Sequence, residues 1–171
     1  MKSILISIAV IAGLIVFVKV TSDTNSDNSS TPTFVAKKVL SEVMIINQDV
    51  LLDLGEIPIQ GGTVDAEFKF KNNGPDKVSL VYGETSCMCT QAIIKKDNGE
   101  LSPRIEMQGH GSNGVLKMIL EPGEEATLIA TFDPMAHGPD AIGPITREVI
   151  IKTNSETTPE LIFEFQGNVV R

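Results

Sequence analysis

Alternation of apolar and polar residues dominates the chain from residue 49 onward. In the segment 63–71, for example, Phe68 and Phe70 alternate with Glu67 and Lys69, which predicts a half-buried strand with one face in water. Turn residues separate the segments that share this pattern. About seven short strands and no convincing helix predict an all-β fold, an Ig-like antiparallel β-sandwich. The other predicted strands are 50–54 (closed by Gly55), 78–82 (which 92–94 is expected to continue), 115–120, 126–132, 145–153 and 161–170. The alternation places Phe68 and Phe70 on the inner face of their strand, and Phe132 and Phe163 on the inner faces of theirs.

The first twenty residues have a different pattern. Residues 4–18 are almost entirely apolar, with Lys2 before them and Lys19 after them. A run of about 15 apolar residues lies between a signal-peptide core and a short transmembrane helix. No small-x-small pair follows it directly, so we favour an uncleaved membrane anchor over a cleaved signal, with the rest of the chain exported to the extracytoplasmic side.

The remaining sequence divides into three parts. Residues 21–33 are Ser, Thr, Asn and Asp with hardly any apolar residue, which predicts a flexible linker. Residues 34–48 mix helical spacing with β-branched residues, and we predict a lead-in segment that packs on the domain. The sandwich domain itself is expected at 49–171, after the anchor or signal at 1–20.

Composition excludes some functions. The 171 residues are 42% hydrophobic with a net charge of −8, which fits one globular domain plus an appendage. An acidic chain with no Trp and one Tyr lacks the basic, aromatic surface that binds nucleic acid. No hydrolase or phosphate-binding motif is present, so we do not expect an enzyme. The partners expected are the membrane, through the N-terminal segment, and another protein.

The strongest candidates for a metal or redox site are Cys87 and Cys89, the only two cysteines. If this segment is extended, both sulfurs project to one face, which favours a shared metal over a disulfide. A bridge would need a tight turn. Thiolate, thioether and imidazole together would suit copper as Cu(I). The candidate metal ligands are Cys87, Cys89, Met107, His110 and His137. A redox-active or structural cysteine pair and two buried thiols without chemistry are the alternatives.

Several motifs together resemble a known family. They are the sequences at 53–58 (Asp-Leu-Gly-Glu-Ile-Pro), 68–74, 86–90, 121–124, 132–134, 149–154 and 167–169. In this order they resemble the bacterial Ig-like domains catalogued as domain of unknown function fifteen-seventy-three, which are related to ASH or Hydin-type domains. The resemblance covers about residues 49–170. It implies a seven-stranded, exported or membrane-tethered Ig-like domain, and it implies no particular activity.

Two features differ from the family pattern. Met88 stands between the cysteines, where the family usually has Gly, and this disfavours a tight cysteine loop. A polar insertion at 95–113 adds about twenty residues, and it is either a site or a long loop. The function predicted from the sequence is a membrane-anchored extracytoplasmic Ig-like binding or assembly module. The alternatives are a copper-binding protein and a thiol-redox module.

Overall fold

The computed structural model describes residues 36–46, 51–111 and 113–171. The predicted membrane anchor at 1–20, the linker at 21–33 and part of the lead-in segment lie outside these residues. Within the described part of the chain, no helix has the length and apolar character needed to cross a membrane.

Two β-sheets form the domain, and the predicted all-β sandwich is confirmed. The first sheet has four strands in the order β1-β3-β7-β5, and the second has five in the order β2-β9-β8-β4-β6. All neighbouring strands are antiparallel except β2 and β9, which are parallel. The strands are β1 (Val43–Ile46), β2 (Leu52–Pro58), β3 (Val64–Asn72), β4 (Val78–Thr85), β5 (Thr90–Lys96), β6 (Val115–Leu120), β7 (Glu125–Phe132), β8 (Gly143–Thr153) and β9 (Glu160–Val170).

The described residues contain nine strands where the sequence predicted about seven. One addition is β1, which lies in the lead-in segment and pairs with β3. The other is β5, which was expected to continue the strand that precedes the cysteines. It lies instead in the opposite sheet, because the chain turns at the cysteines and crosses the sandwich.

Gly55 does not end the strand that contains it. The register of β2 against β9 shifts between Asp53 and Glu56, which is a β-bulge, and Gly55 has a φ of 68° there. The Asp53 carboxylate accepts a hydrogen bond from the Gly55 N–H at 2.8 Å. The strand therefore continues to Pro58, beyond the predicted end at residue 54.

The core lies between the sheets and contains the phenylalanines that the alternation predicted to be buried. Phe163 of β9 packs against Phe68 and Phe70 of β3, with ring centroids 5.6 and 5.4 Å apart. Phe132 of β7 packs against Phe165 of β9 at 6.3 Å. These ring pairs join the two sheets, and the predicted inward faces of these strands are confirmed.

The polar insertion at 95–113 has a structural role. Ala92 of β5 exchanges two backbone hydrogen bonds with Ile105, at 2.9 and 2.8 Å, and the Ser102 N–H donates to the Ile94 carbonyl at 2.9 Å. The insertion thus covers the outer edge of β5. Its Ile105 side chain is fully buried in the core. The segment closes one side of the sandwich, which its polar composition did not indicate.

Candidate cysteine site

The two cysteines lie in a turn between β4 and β5, where the chain passes from one sheet to the other. The turn is closed by the Thr90 N–H, which donates to the Cys87 carbonyl at 3.0 Å. The buried Thr85 hydroxyl lies 3.0 Å from the carbonyl oxygens of both Cys87 and Thr90, either of which accepts its proton. The extended conformation considered from the sequence is therefore wrong.

A disulfide joins Cys87 and Cys89 in this turn. Their Cα atoms are 5.2 Å apart, inside the normal range for bridged cysteines, because the turn brings together sulfurs that a flat strand would hold apart. Met88 is half exposed at the tip of the turn and does not prevent the bridge. A crosslink around so short a loop constrains the unfolded chain little, roughly half as much as one around 15 residues. Stabilising the fold is therefore a minor role for this bridge.

His137 reaches the cysteines from the loop that follows β7. This loop is tied to the cysteine turn by the Asp133 N–H, which donates to the Cys89 carbonyl at 2.8 Å. The Asp133 carboxylate accepts a hydrogen bond from the Met135 N–H at 2.8 Å, and Gly138 ends the turn with a φ of 93°. As a result, the exposed His137 has its Nε2 atom 3.2 Å from Cys87 Sγ.

Arg147 of β8 contacts the other sulfur. Its Nε–H donates to Cys89 Sγ at 3.0 Å, and its guanidinium lies 5.7 Å from the centroid of the Phe132 ring. Burial lowers the pKa of Arg147, and within the described chain its guanidinium has no carboxylate partner. The site thus holds a half-buried cation against a sulfur atom.

Arg147 was not among the residues predicted from the sequence, although a signal for it exists. It occupies the same alternating series in β8 as Val149 and Ile151, which are fully buried. An arginine in an inward series is uncommon, since charged residues are rarely buried without a partner. The alternation of inward and outward positions along 145–153 therefore indicates Arg147 as a candidate site residue.

Three of the five predicted metal ligands come together. The ligand atoms of Cys87, Cys89 and His137 all lie within 4.8 Å of one another, and among the described residues no other group of His, Cys, Asp and Glu side chains is arranged in this way. Met107 and His110 begin and end a separate turn, closed by the His110 N–H to the Met107 carbonyl at 3.0 Å. No hydrogen bond of the described chain joins their side chains to the cysteine sulfurs.

An open cleft of about 200 Å³ lies beside the cysteine turn. His137 and Arg147 line it together with apolar side chains that include Phe132 and Ile142. His137 and Arg147 therefore face the same open cleft.

Part of the chain matches a known protein family. Residues 44–107 match the family described as "Protein of unknown function (DUF1573)". The family resemblance predicted from the sequence is thereby confirmed, over a segment that includes the cysteine turn. A search of curated proteins finds no match for this chain.

Solved structures show a similar architecture. A protein of unknown function from Porphyromonas gingivalis W83 is 16% identical, with a TM-score of 0.54 over 81% of this chain and 51% of that one. This chain therefore spans about half the length of that protein, and the likeness shows a shared fold. The ASH/PapD-like domain 7 of human CEP192 is 15% identical, with a TM-score of 0.42 over 80% and 92% of the two chains. AggA, the major subunit of Escherichia coli aggregative adherence fimbriae type I, is 10% identical, with a TM-score of 0.40 over 79% and 100%.

Proposed function

We propose that this Ig-like sandwich is a membrane-anchored, extracytoplasmic binding or assembly module that binds an extended segment of a partner protein along β6. The observation that carries the proposal is the position of β6, the last strand of the five-stranded sheet, which pairs only with β4 among the described strands. An unpaired strand edge presents backbone N–H and C=O groups that can pair with another chain. Addition of a strand at such an edge is a common mode of peptide recognition.

The other sheet edges are less suited to this role. The segment around Ile105 already covers β5, and β1 has only four residues. The bulge at Gly55 interrupts β2, which ends at Pro58, a residue without a backbone N–H. The register of β6 against β4 also shifts, between Val115 and Met118, but its six residues keep an alternation of exposed and buried positions along the whole strand.

The side chains of β6 indicate what kind of segment would bind. Val115 and Ile119 are each 42% exposed, and the exposed Lys117 lies between them. Lys117 forms no ion pair with any residue that the structure describes. Because directly opposed side chains of adjacent strands interact, the complementary segment would place an acidic residue opposite Lys117 and apolar residues on both sides of it.

Site-specific photocrosslinking in the native host tests this proposal. A photoreactive residue at position 119 is expected to form an adduct with one discrete protein. The matched control is position 162 on β9, an inner strand of the same sheet, where Ile162 is 50% exposed and pairs with Ile150 of β8. The captured protein, once purified, should bind Ile119→Lys at least about tenfold more weakly than Ile162→Lys, a loss of about 1.4 kcal/mol. Equal adducts from both positions, or equal affinities, would contradict binding at β6.

The membrane anchor gives a separate prediction. Because no small-x-small cleavage site directly follows the apolar run at 4–18, the mature protein is expected to keep residues 1–20 and to sediment with membranes. N-terminal sequencing of the native protein checks this, and a version that lacks residues 1–20 is the soluble control. A mature chain that begins near Asp23 would show that the segment is cleaved, so that the protein is secreted and not anchored.

A soft-metal site is the second candidate function, and the clustering of Cys87, Cys89 and His137 within 4.8 Å favours it. Two thiolates and an imidazole suit Cu(I), but thiolates exist only after the disulfide is reduced. Arg147 opposes this function, because its positive charge lies beside one of the sulfur ligands.

A further inference from the structure

We propose that the Cys87–Cys89 disulfide is a thiol–disulfide exchange site for peptide thiols, in which Arg147 stabilises the Cys89 thiolate released when the bridge opens. This inference does not depend on the proposed partner at β6. It rests on three observations: the unequal exposure of the two sulfurs, the contact between Arg147 and Cys89, and the position of His137 at the edge of an adjoining cleft.

The exposure of the sulfurs sets the direction of attack. Cys89 is 2% exposed and belongs to the core cluster, whereas Cys87 is only partly buried. An incoming thiolate must approach an accessible sulfur in order to displace the other one. Cys87 is therefore the sulfur that is attacked, and Cys89 is the leaving group.

The contact made by Arg147 favours that leaving group. A disulfide sulfur is a weak hydrogen-bond acceptor, so the Nε–H of Arg147 gains little from the 3.0 Å contact while the bridge is closed. A thiolate at the same position would accept a charge-assisted hydrogen bond and would give this half-buried cation an anionic partner. Arg147 thus stabilises the reduced protein more than the oxidised protein, which makes the disulfide a better oxidant.

His137 and the cleft would deprotonate and hold the incoming thiol. The Nε2 atom of His137 lies 3.2 Å from Cys87 Sγ, so a thiol that approaches Cys87 also approaches a group that can accept its proton. Phe132 and Ile142 give the cleft an apolar wall against which the residues flanking a peptide cysteine could pack. This arrangement favours a cysteine within a peptide over a small free thiol that lacks flanking residues.

The exchange needs no oxidant other than the protein disulfide itself. A substrate thiol gives its proton to His137, and the thiolate attacks Cys87 Sγ. The Cys87–Cys89 bond breaks, and its electron pair leaves on Cys89, beside Arg147. A second substrate thiol loses its proton to water, attacks the substrate sulfur of the mixed disulfide and releases Cys87, which takes the proton held by His137. The substrate dithiol is oxidised to a disulfide, and the protein disulfide is reduced to the Cys87 thiol and the Cys89 thiolate.

The redox equilibrium of the full chain in glutathione buffers tests the role of Arg147. Arg147→Gln is expected to shift the equilibrium toward the disulfide by at least about tenfold, which corresponds to about 30 mV for a two-electron couple. Arg147→Lys keeps the charge and should shift it less. Arg104→Gln, which removes the same charge from an exposed side chain, should leave it unchanged. A shift shared by Arg147→Gln and Arg104→Gln, or no shift in either, would overturn the proposal. If Arg147→Gln does not fold, Arg147→Met, which keeps an unbranched side chain without the charge, takes its place with the same expected shift, and an unchanged equilibrium there overturns the proposal.

Single-cysteine variants test the direction of attack. With oxidised glutathione as the probe and rates expressed per thiolate, which removes the effect of Arg147 on the thiolate fraction of Cys89, Cys87 in Cys89→Ser should form the mixed disulfide at least about tenfold faster than Cys89 in Cys87→Ser, since Cys87 is the more accessible of the two. Equal rates, or a faster reaction at Cys89, would overturn the assignment of Cys87 as the attacked sulfur. Binding of a partner at β6 should be unaffected by all of these changes, so failure of this inference can be distinguished from failure of the proposed function.

Discussion

Replacement of Phe163 by alanine is expected to lower the free energy of unfolding by about 3–5 kcal/mol. Its ring is fully buried and contacts Phe68 and Phe70 across the interface between the sheets. Removal of the ring leaves a cavity that neither sheet can close, because each is held by its own backbone hydrogen bonds. The loss would be a large share of the total stability of a domain of this size.

Urea denaturation of the domain measures this effect. The matched control is Ile162→Ala, one residue earlier on the same strand, where the side chain is half exposed on the outer face. That change should alter the free energy of unfolding by about 0.5 kcal/mol or less. A Phe163→Ala loss below about 1 kcal/mol, or equal losses from both variants, would contradict the burial of Phe163 between the sheets.

The faces of the strands could be predicted from the sequence, because alternation is a local property that burial on one side imposes directly. Phe68, Phe70, Phe132 and Phe163 were all assigned inward on this basis, and all are buried. The sheet to which each strand belongs could not be predicted in this way. Strand β5 has the same alternation as its neighbours, and only the turn at the cysteines places it in the opposite sheet.

At the candidate site, too, local sequence predicts one part and long-range contacts decide the rest. The cysteines were found because of their spacing, but which histidine joins them depends on contacts between residues far apart in sequence. The bond from the Asp133 N–H to the Cys89 carbonyl brings His137 to Cys87, whereas His110 lies in a separate turn. Nothing in the local sequence around either histidine distinguishes the two outcomes.

The fully reduced protein is expected to bind Cu(I) through Cys87, Cys89 and His137 if the metal function holds. Loss of a direct ligand should weaken binding by more than the roughly 10- to 100-fold that loss of an outer-shell partner costs. Cys87→Ser should therefore cause the largest loss, and His137→Ala a smaller one, since soft thiolates bind Cu(I) more strongly than imidazole. His110→Ala is the matched control and should change nothing, because His110 lies outside the ligand cluster.

Arg147→Gln separates the metal function from disulfide exchange. Removal of the positive charge beside Cys89 should strengthen Cu(I) binding, because two cations no longer compete for the same sulfur. The same variant should favour the closed disulfide in glutathione buffer, so the two functions respond to it in opposite directions. Titration of Cu(I) against a competing chelator, under reducing conditions, measures the first effect. Equally weak binding by wild type, Cys87→Ser and His137→Ala would exclude the metal function. Disulfide exchange would then be the remaining proposal for the contact between Arg147 and Cys89.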